Sequence, residues 1–410
     1  MNRQASSENR AAPTGTLVVR NIGRLFTSTP AGVVTDATLA VKDGRIAFFG
    51  PEGELPGELA ADSGELDAGG ALVTPGLIDA HSHPVYGGDR FEEIALRSTG
   101  ASYGEIAASG GGIAASVRDT RAASEDELEK GLRTRLSAMA SSGTTTVEAK
   151  SGYQLEEAGE LSTLRMLARI SGEPGLPLVE ATFLGAHAVA PESASDPDGY
   201  VESVASWCAQ ALAAGARHVD VFCDEGYFTI EQSRRILKAG ASAGLIGRIH
   251  ADELARTGGA MLAAELSCAS ADHLLRITAA DAQALARGGV TATLCPVTAL
   301  AMGLVPPLGE LRRAGVSIAL GSDHNPGTCG TTSMPFVIAL GVSELGLSVA
   351  DALRAATAGG ALSLRLSDRG IIAAGLRADL VIWDADHEGA FAWSYGLTPK
   401  LVLLGGLPMS

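Results

Sequence analysis

Eight short apolar runs, each handing over to polar or metal-ligating residues, constrain this chain more than any other feature. GLIDA runs into His81-Ser82-His83, TTTVEA into Lys150-Ser151-Gly152-Tyr153, and LVEATFLGA into His187. VDVF leads to Cys223-Asp224-Glu225, LIGRI to His250-Ala251-Asp252-Glu253, and CASAD to His273. VTATL ends at Cys295, and VSIALGS at Asp323-His324-Asn325. Between these runs lie Ala- and Leu-rich stretches that predict helices at 125–142, 161–171, 200–214, 230–243, 258–266, 279–287 and 349–362. Alternation of this kind from about 75 to 365 predicts a parallel α/β core. A doubly wound sheet collects ligands only at its switch point. Contributions from so many strand ends therefore predict a (β/α)8 TIM barrel, whose C-terminal mouth gathers them all.

The two ends of the chain read differently. TLVVRNIGRLFTS, ATLAVKDGRIAFFG and ALVTPG at the start, and RGIIAAG, ADLVIWDAD and KLVLLGG at the finish, are short β-rich runs broken by Gly, Pro and Asn/Asp. They predict a small β-sandwich domain assembled from both termini. The expected division is a disordered lead at 1–14, sandwich at 15–74, barrel at 75–365 and sandwich again at 366–410. Hydrophobic residues at 46 % against 19 % charged supply ample core and exclude a disordered chain.

Charge narrows the partners. Lys and Arg number 31 against 47 Asp and Glu, a net −16 that disfavours nucleic acid and anionic membrane surfaces. An anionic small-molecule substrate would need a locally placed cation. The five cysteines, Cys208, Cys223, Cys268, Cys295 and Cys329, are scattered without a CxxC pair, as expected of reduced thiols. The polar N-terminus lacks the apolar segment of a secretory signal, and no apolar run reaches about 18 residues, so a soluble, cytoplasmic protein is expected.

His81 and His83 sit at i and i+2, which on a strand aims both imidazoles to one side. Six of the chain's eight histidines (His81, His83, His187, His250, His273, His324) fall at the predicted strand ends. A catalytic metal needs several protein ligands and an open position for water. His81, His83, His250 and Asp323 supply three nitrogens and a carboxylate, a set that suits zinc, with iron or manganese also compatible.

Glu253 is placed to carry a proton between water and a leaving nitrogen; as a bland alternative it is a helix-initiating carboxylate. His273 is placed to hold a carbonyl oxygen or a water, or else is a buried histidine bonded to backbone. Arg90 reads as a fork for a substrate carboxylate or as a surface salt bridge. Tyr103 and Tyr153 are placed to donate to the same carboxylate or to pack at the rim. Gly110-Gly111-Gly112 lacks the strand and GK[ST] of a phosphate cradle and reads as a flexible mouth loop. Lys150 pairs with a carboxylate or, less readily, is a carbamylated bridging ligand.

PGLIDAHSH, HADE, ADH and SDHNPG inside a split β-sandwich resemble the amidohydrolase superfamily. HSHPVYGGDR, the GGGI loop, DTRAAS, GTTTVEAKSGY, FLGAHAV, IHADEL, SADH and DHNPG are most similar to its imidazolonepropionase family, over about 70 to 385. The resemblance implies hydrolysis of 4-imidazolone-5-propanoate to N-formimidoyl-L-glutamate by a homodimer with one zinc or iron ion per chain. It implies His81, His83, His250 and Asp323 as metal ligands. Arg90, Tyr103 and Tyr153 would surround the propionate, and His187, Asn325, Gly327 and Thr328 the rest of the substrate. Glu253, His273 and Asp323 become the catalytic groups. The chain departs from the family pattern at Pro84, Gln154, the Cys295-Pro296-Val297-Thr298 turn and His324, all expected near the mouth. Two other readings compete: a relative acting on another carboxylate-bearing five-membered ring, and a non-catalytic ligand-binding barrel.

Overall fold

The computed structural model describes residues 15–61, 63–100, 105–106 and 109–409; the lead expected at 1–14 lies outside them. The N-terminal part contributes β1 (Thr16–Phe26), β2 (Val33–Lys42), β3 (Arg45–Pro51), β4 (Gly64–Asp67) and β5 (Leu72–Pro75). Then come β6 (Leu77–Asp79), β7 (Thr144–Lys150), β8 (Leu178–Ala186), β9 (His218–Cys223), β10 (Ile246–Ala251), β11 (Ser270–His273), β12 (Thr291–Leu294) and β13 (Ile318–Leu320). The C-terminal part adds β14 (Leu380–Trp383), β15 (Pro399–Leu404) and β16 (Leu407–Pro408).

Strands β6 to β13 pair in chain order, every pair parallel, giving the eight-stranded barrel expected from the apolar runs. The seam between β6 and β13 is closed at the mouth. Ala80 N donates to Leu320 O at 3.3 Å, Asp323 N to His81 O at 2.9 Å, and His83 N to His324 O at 2.8 Å. Gly321 permits this approach, since a Cβ there would stand 2.6 Å from the His81 Cβ. Every residue of β7 is buried, as befits a parallel strand covered on both faces.

The helices form where local chemistry starts and stops them. Glu125–Ser141 opens on a Ser124/Glu127 capping box; Ile230–Ala243 opens on a Thr229/Gln232 box and stops at Gly244 with φ 100°. The helix expected at 349–362 is instead Val349–Arg354, a π-helical turn Ala355–Gly359, and Gly360–Ser363. There Gly359 and Gly360 press against the Ile318 carbonyl and Ile78. Helices Phe91–Ser98, Ile113–Ala122, Pro296–Ala301, Leu308–Ala314 and Met334–Ser343 are additional to those read from the sequence. Met334–Ser343 buries residues all around its circumference, so it has no polar stripe to betray its period.

The terminal strands form one sheet, β16-β15-β14-β5-β1-β2-β3 with β4 beside β1. The two chain ends meet where β5 pairs antiparallel with β14, Val73 opposite Ile382. The sheet carries its own core, including Ile22, Leu39, Val73, Leu380 and Leu403. It docks on the barrel through Trp383, which is fully buried, belongs to the barrel's apolar cluster and donates its indole N–H to Thr74 Oγ1 at 2.9 Å.

Candidate active site

The strand ends deliver three imidazoles to one point. His81 and His83 follow β6 and His250 lies in β10; His81 Nε2 is 3.2 Å from His83 Nε2, which is 3.4 Å from His250 Nε2. Asp323 Oδ1, beyond β13, is 3.5 Å from the first two nitrogens. Metal–nitrogen bonds of ~2.1 Å in a tetrahedron place neighbouring ligand atoms ~3.4 Å apart, so these four atoms fit a single divalent cation. Burial pushes His81 and His83 well below the usual imidazole range, which keeps them neutral, the form a metal takes. His81, His273 and Cys295 also lie within ligand reach of one another. Burial, together with the carboxylates of Asp323, Asp272, Asp79 and Glu253, pushes the Cys295 thiol well up, so it keeps its proton and the nitrogen–carboxylate set is the better donor group.

Carboxylates stand behind two of these imidazoles. His81 Nδ1 is 2.7 Å from Asp272 Oδ2, and His250 Nδ1 is 3.0 Å from Asp220 Oδ2. Lys150 Nζ lies 2.9 Å from Glu148 and 2.8 Å from Asp220, and Arg248 Nη2 donates to Asp272 at 3.0 Å. These five charged side chains are fully buried. Three carboxylates against two cations leave a net negative charge beneath the histidines, which favours a cation above them. Burial opposes a charged Lys150, but Asp220 and Glu148 outweigh it and raise its pKa. Lys150 is thus an ion-paired ammonium. Asp79, pushed up to about 7 by burial, accepts from the Ser322 N–H at 2.8 Å and ties β6 to the end of β13.

Around the histidines opens a narrow cleft with a cavity volume of about 40 Å³. Glu253 and His273 line it, the His273 Nδ1 being 3.6 Å from Glu253 Oε1. Burial, with Asp323 and Asp224 adding repulsion, pushes Glu253 well above the carboxylate range. Its backbone is fixed by Asp224, which accepts from the N–H groups of Glu253, Leu254 and Ala255 at 2.7, 2.9 and 3.0 Å. Asp323 is pushed to about 6 by burial, held back by the Thr298 hydroxyl donating to its Oδ2 at 2.5 Å. Asp252, His273 and Asp323 hold left-handed φ values of 52°, 71° and 52°, backbone strain gathered at the mouth.

On the opposite side Arg90 is buried, with Nε and Nη2 held by Glu93 at 2.9 and 2.6 Å. Its guanidinium lies against Gly327, where a Cβ would come within 2.2 Å of Nη1. Tyr153 and His187 line the same cleft, their rings 5.1 Å apart, and His187 stacks on His83 at 5.0 Å. Asn325 shapes the closing loop: its Oδ1 accepts from the Gly327 and Thr328 N–H groups, each at 2.8 Å. Tyr103 lies outside the described residues.

Among the described residues, the departing Pro84, Gln154, Val297 and His324 do not line the cleft, whereas Thr298 bonds Asp323 and Cys295 lies within reach of His81 and His273. Gln154 packs over Gly159, and His324 bonds Tyr86 Oη at 3.2 Å and the Thr331 carbonyl at 3.1 Å. Glu93, Asp220, Arg248, Asp272 and Thr298 support the site without belonging to the ligand pattern the strand ends display. Charged residues interrupting apolar strands, and the i, i+3 spacing of Arg90 and Glu93, were the available signals.

The amidohydrolase family model matches residues 92–391. The chain is 45 % identical to an imidazolonepropionase of Mycolicibacterium smegmatis over 93 % of its length and 94 % of the relative's. It is 43 % identical to an imidazolonepropionase of Salinispora tropica over 96 % and 98 %. Among solved structures, a 5-methylcytosine deaminase from Klebsiella pneumoniae superposes with a TM-score of 0.75 at 18 % identity, covering 96 % of this chain and 97 % of that one. The A. niger ochratoxinase superposes with a TM-score of 0.70 at 18 % identity, covering 96 % and 95 %. Both share the fold. With barrel, terminal sheet and sequence in agreement, the chain belongs to the imidazolonepropionase family of amidohydrolases.

Proposed function

We propose that this protein hydrolyses the ring amide of 4-imidazolone-5-propanoate to give N-formimidoyl-L-glutamate. The observation that carries the reading is the convergence of three histidine nitrogens and the Asp323 carboxylate on one point of a cleft that Arg90 also lines. Kinship with imidazolonepropionases at 41–45 % identity supports the substrate. His81, His83, His250 and Asp323 would hold one divalent ion, zinc or iron. When bound, such an ion supplies Lewis acidity, acidifying water and polarising a carbonyl.

The chain's own residues do the rest. Arg90, gripped from behind by Glu93, binds the propionate with Tyr153 and Tyr103, a hold remote from the reacting bond that fixes the ring's orientation. His187, Asn325, Gly327 and Thr328 shape the remainder of the pocket. The oxygen of water adds to the ring carbonyl carbon while Asp323 takes its proton. His273, a neutral imidazole, donates a hydrogen bond to the carbonyl oxygen. Glu253, protonated by virtue of its burial, gives its proton to the ring nitrogen as the carbon–nitrogen bond breaks. The enzyme works as a cytoplasmic homodimer.

The test is incubation of purified protein with freshly prepared 4-imidazolone-5-propanoate, with mass spectrometry for formimidoyl-glutamate. Chelator-treated enzyme and His83→Ala serve as controls. Turnover that needs the metal is expected. A folded, metal-loaded protein that leaves the substrate intact would reject the reading and direct the search to other carboxylate-bearing cyclic amides.

A further inference from the structure

We propose that Lys150 and Arg248 are positioning residues that preset two of the three metal-binding imidazoles before any cation arrives. The inference rests on the reading of His81, His83, His250 and Asp323 as the metal seat.

The two arrangements repeat one design. A single oxygen, Asp272 Oδ2, faces both His81 Nδ1 at 2.7 Å and Arg248 Nη2 at 3.0 Å. A single oxygen, Asp220 Oδ2, faces both His250 Nδ1 at 3.0 Å and Lys150 Nζ at 2.8 Å. A carboxylate oxygen that accepts from an ammonium or guanidinium accepts from its other neighbour as well, so the imidazole beside it turns Nδ1–H toward it. That leaves the Nε2 lone pair of each ring aimed at the shared point.

The cations are themselves immobilised. Arg248 donates to Ala80 O at 2.7 Å and Ser363 O at 2.9 Å, and Lys150 is also held by Glu148 at 2.9 Å. Lys150 further couples the two halves, standing 3.9 Å from Asp272 Oδ2. Among the described residues the buried Nδ1 atoms of both His250 and His83 lack an aligned hydrogen-bond partner, but that of His250 faces Asp220 Oδ2 at 3.0 Å, whereas no carboxylate is paired with His83 Nδ1. The presetting therefore covers His81 and His250 and not His83.

Full-length zinc-loaded protein is titrated against a chelating dye, without substrate. Lys150→Met and Arg248→Met are expected to weaken zinc retention about ten- to a hundredfold, whereas Arg248→Lys stays near wild type. Both methionine variants holding zinc as tightly as wild type, whatever their melting temperatures, would overturn the proposal. His83→Ala separates this outcome from failure of the ligand reading: it must lose zinc if the seat is correct. Should the methionine variants not fold, imidazole ¹⁵N spectra of the metal-stripped wild-type chain decide. Nδ1–H is expected at His81 and His250, and Nε2–H at either ring would overturn the assignment.

Discussion

Glu253 and His324 are both buried titratable residues at the mouth, yet they carry opposite expectations. Glu253 faces the cleft with its pKa raised by burial, as the proton donor proposed above requires. Glu253→Gln should lower kcat by about 10²–10⁴ with little change in KM, measured by steady-state kinetics on metal-loaded protein. A loss below about tenfold would remove it from the proton path. His324 lies outside the cleft lining, and burial lowers its pKa to about 4. It folds neutral, whereas the unfolded chain takes up a proton near pH 6.5. Its contribution is therefore present above pH 6.5 and lost as pH falls toward 4, about 3 kcal/mol over that window. Metal-stripped His324→Phe should lose stability less steeply than wild type between pH 6.5 and 4 in denaturant titrations; parallel curves would refute this. The histidines and Asp323 were legible in the sequence because strand-end position alone implies convergence. Thr298 was not, since its partner Asp323 is set by how the loops fold back over the mouth.

At the scale of elements, the seam between β6 and β13 depends on Gly321. A Cβ there would stand 2.9 Å from the His81 N atom as well as crowding its Cβ. Gly321→Ala should cost about 1–3 kcal/mol by denaturant unfolding and loosen metal retention, because His81 is displaced with the strand. Unchanged stability with unchanged retention would show that the seam tolerates separation. The eight barrel strands could be read from the sequence since each is an apolar run buried on both sides. The helix at Met334–Ser343 could not, being apolar all round. Short helices such as Pro296–Ala301 offer too few turns for a periodic pattern to emerge.

Across the whole molecule, Trp383 joins the terminal sheet to the barrel. It packs edge-on against Phe391 with ring centres 4.7 Å apart and fills the space beside Gly143. Trp383→Ala should destabilise the protein by about 3–5 kcal/mol. Calorimetry should show the sheet melting ahead of the barrel; a single wild-type-like transition would mean the docking is carried elsewhere. The two-ended sheet was foreseeable from the matching β-rich runs, but its docking residue was not, since a tryptophan in ADLVIWDAD reads equally well as sheet core.

The pairing of β5 with β14 sets a schedule for synthesis. Leu72–Pro75 emerges from the ribosome while its partner at Leu380–Trp383 is still some 300 residues away. At about 5–20 residues per second that is a wait of ~15–60 s. Throughout it, Leu72 and Val73 sit on a strand whose partnering edge is open. That edge therefore stays without its native partner until Leu380–Trp383 has been made.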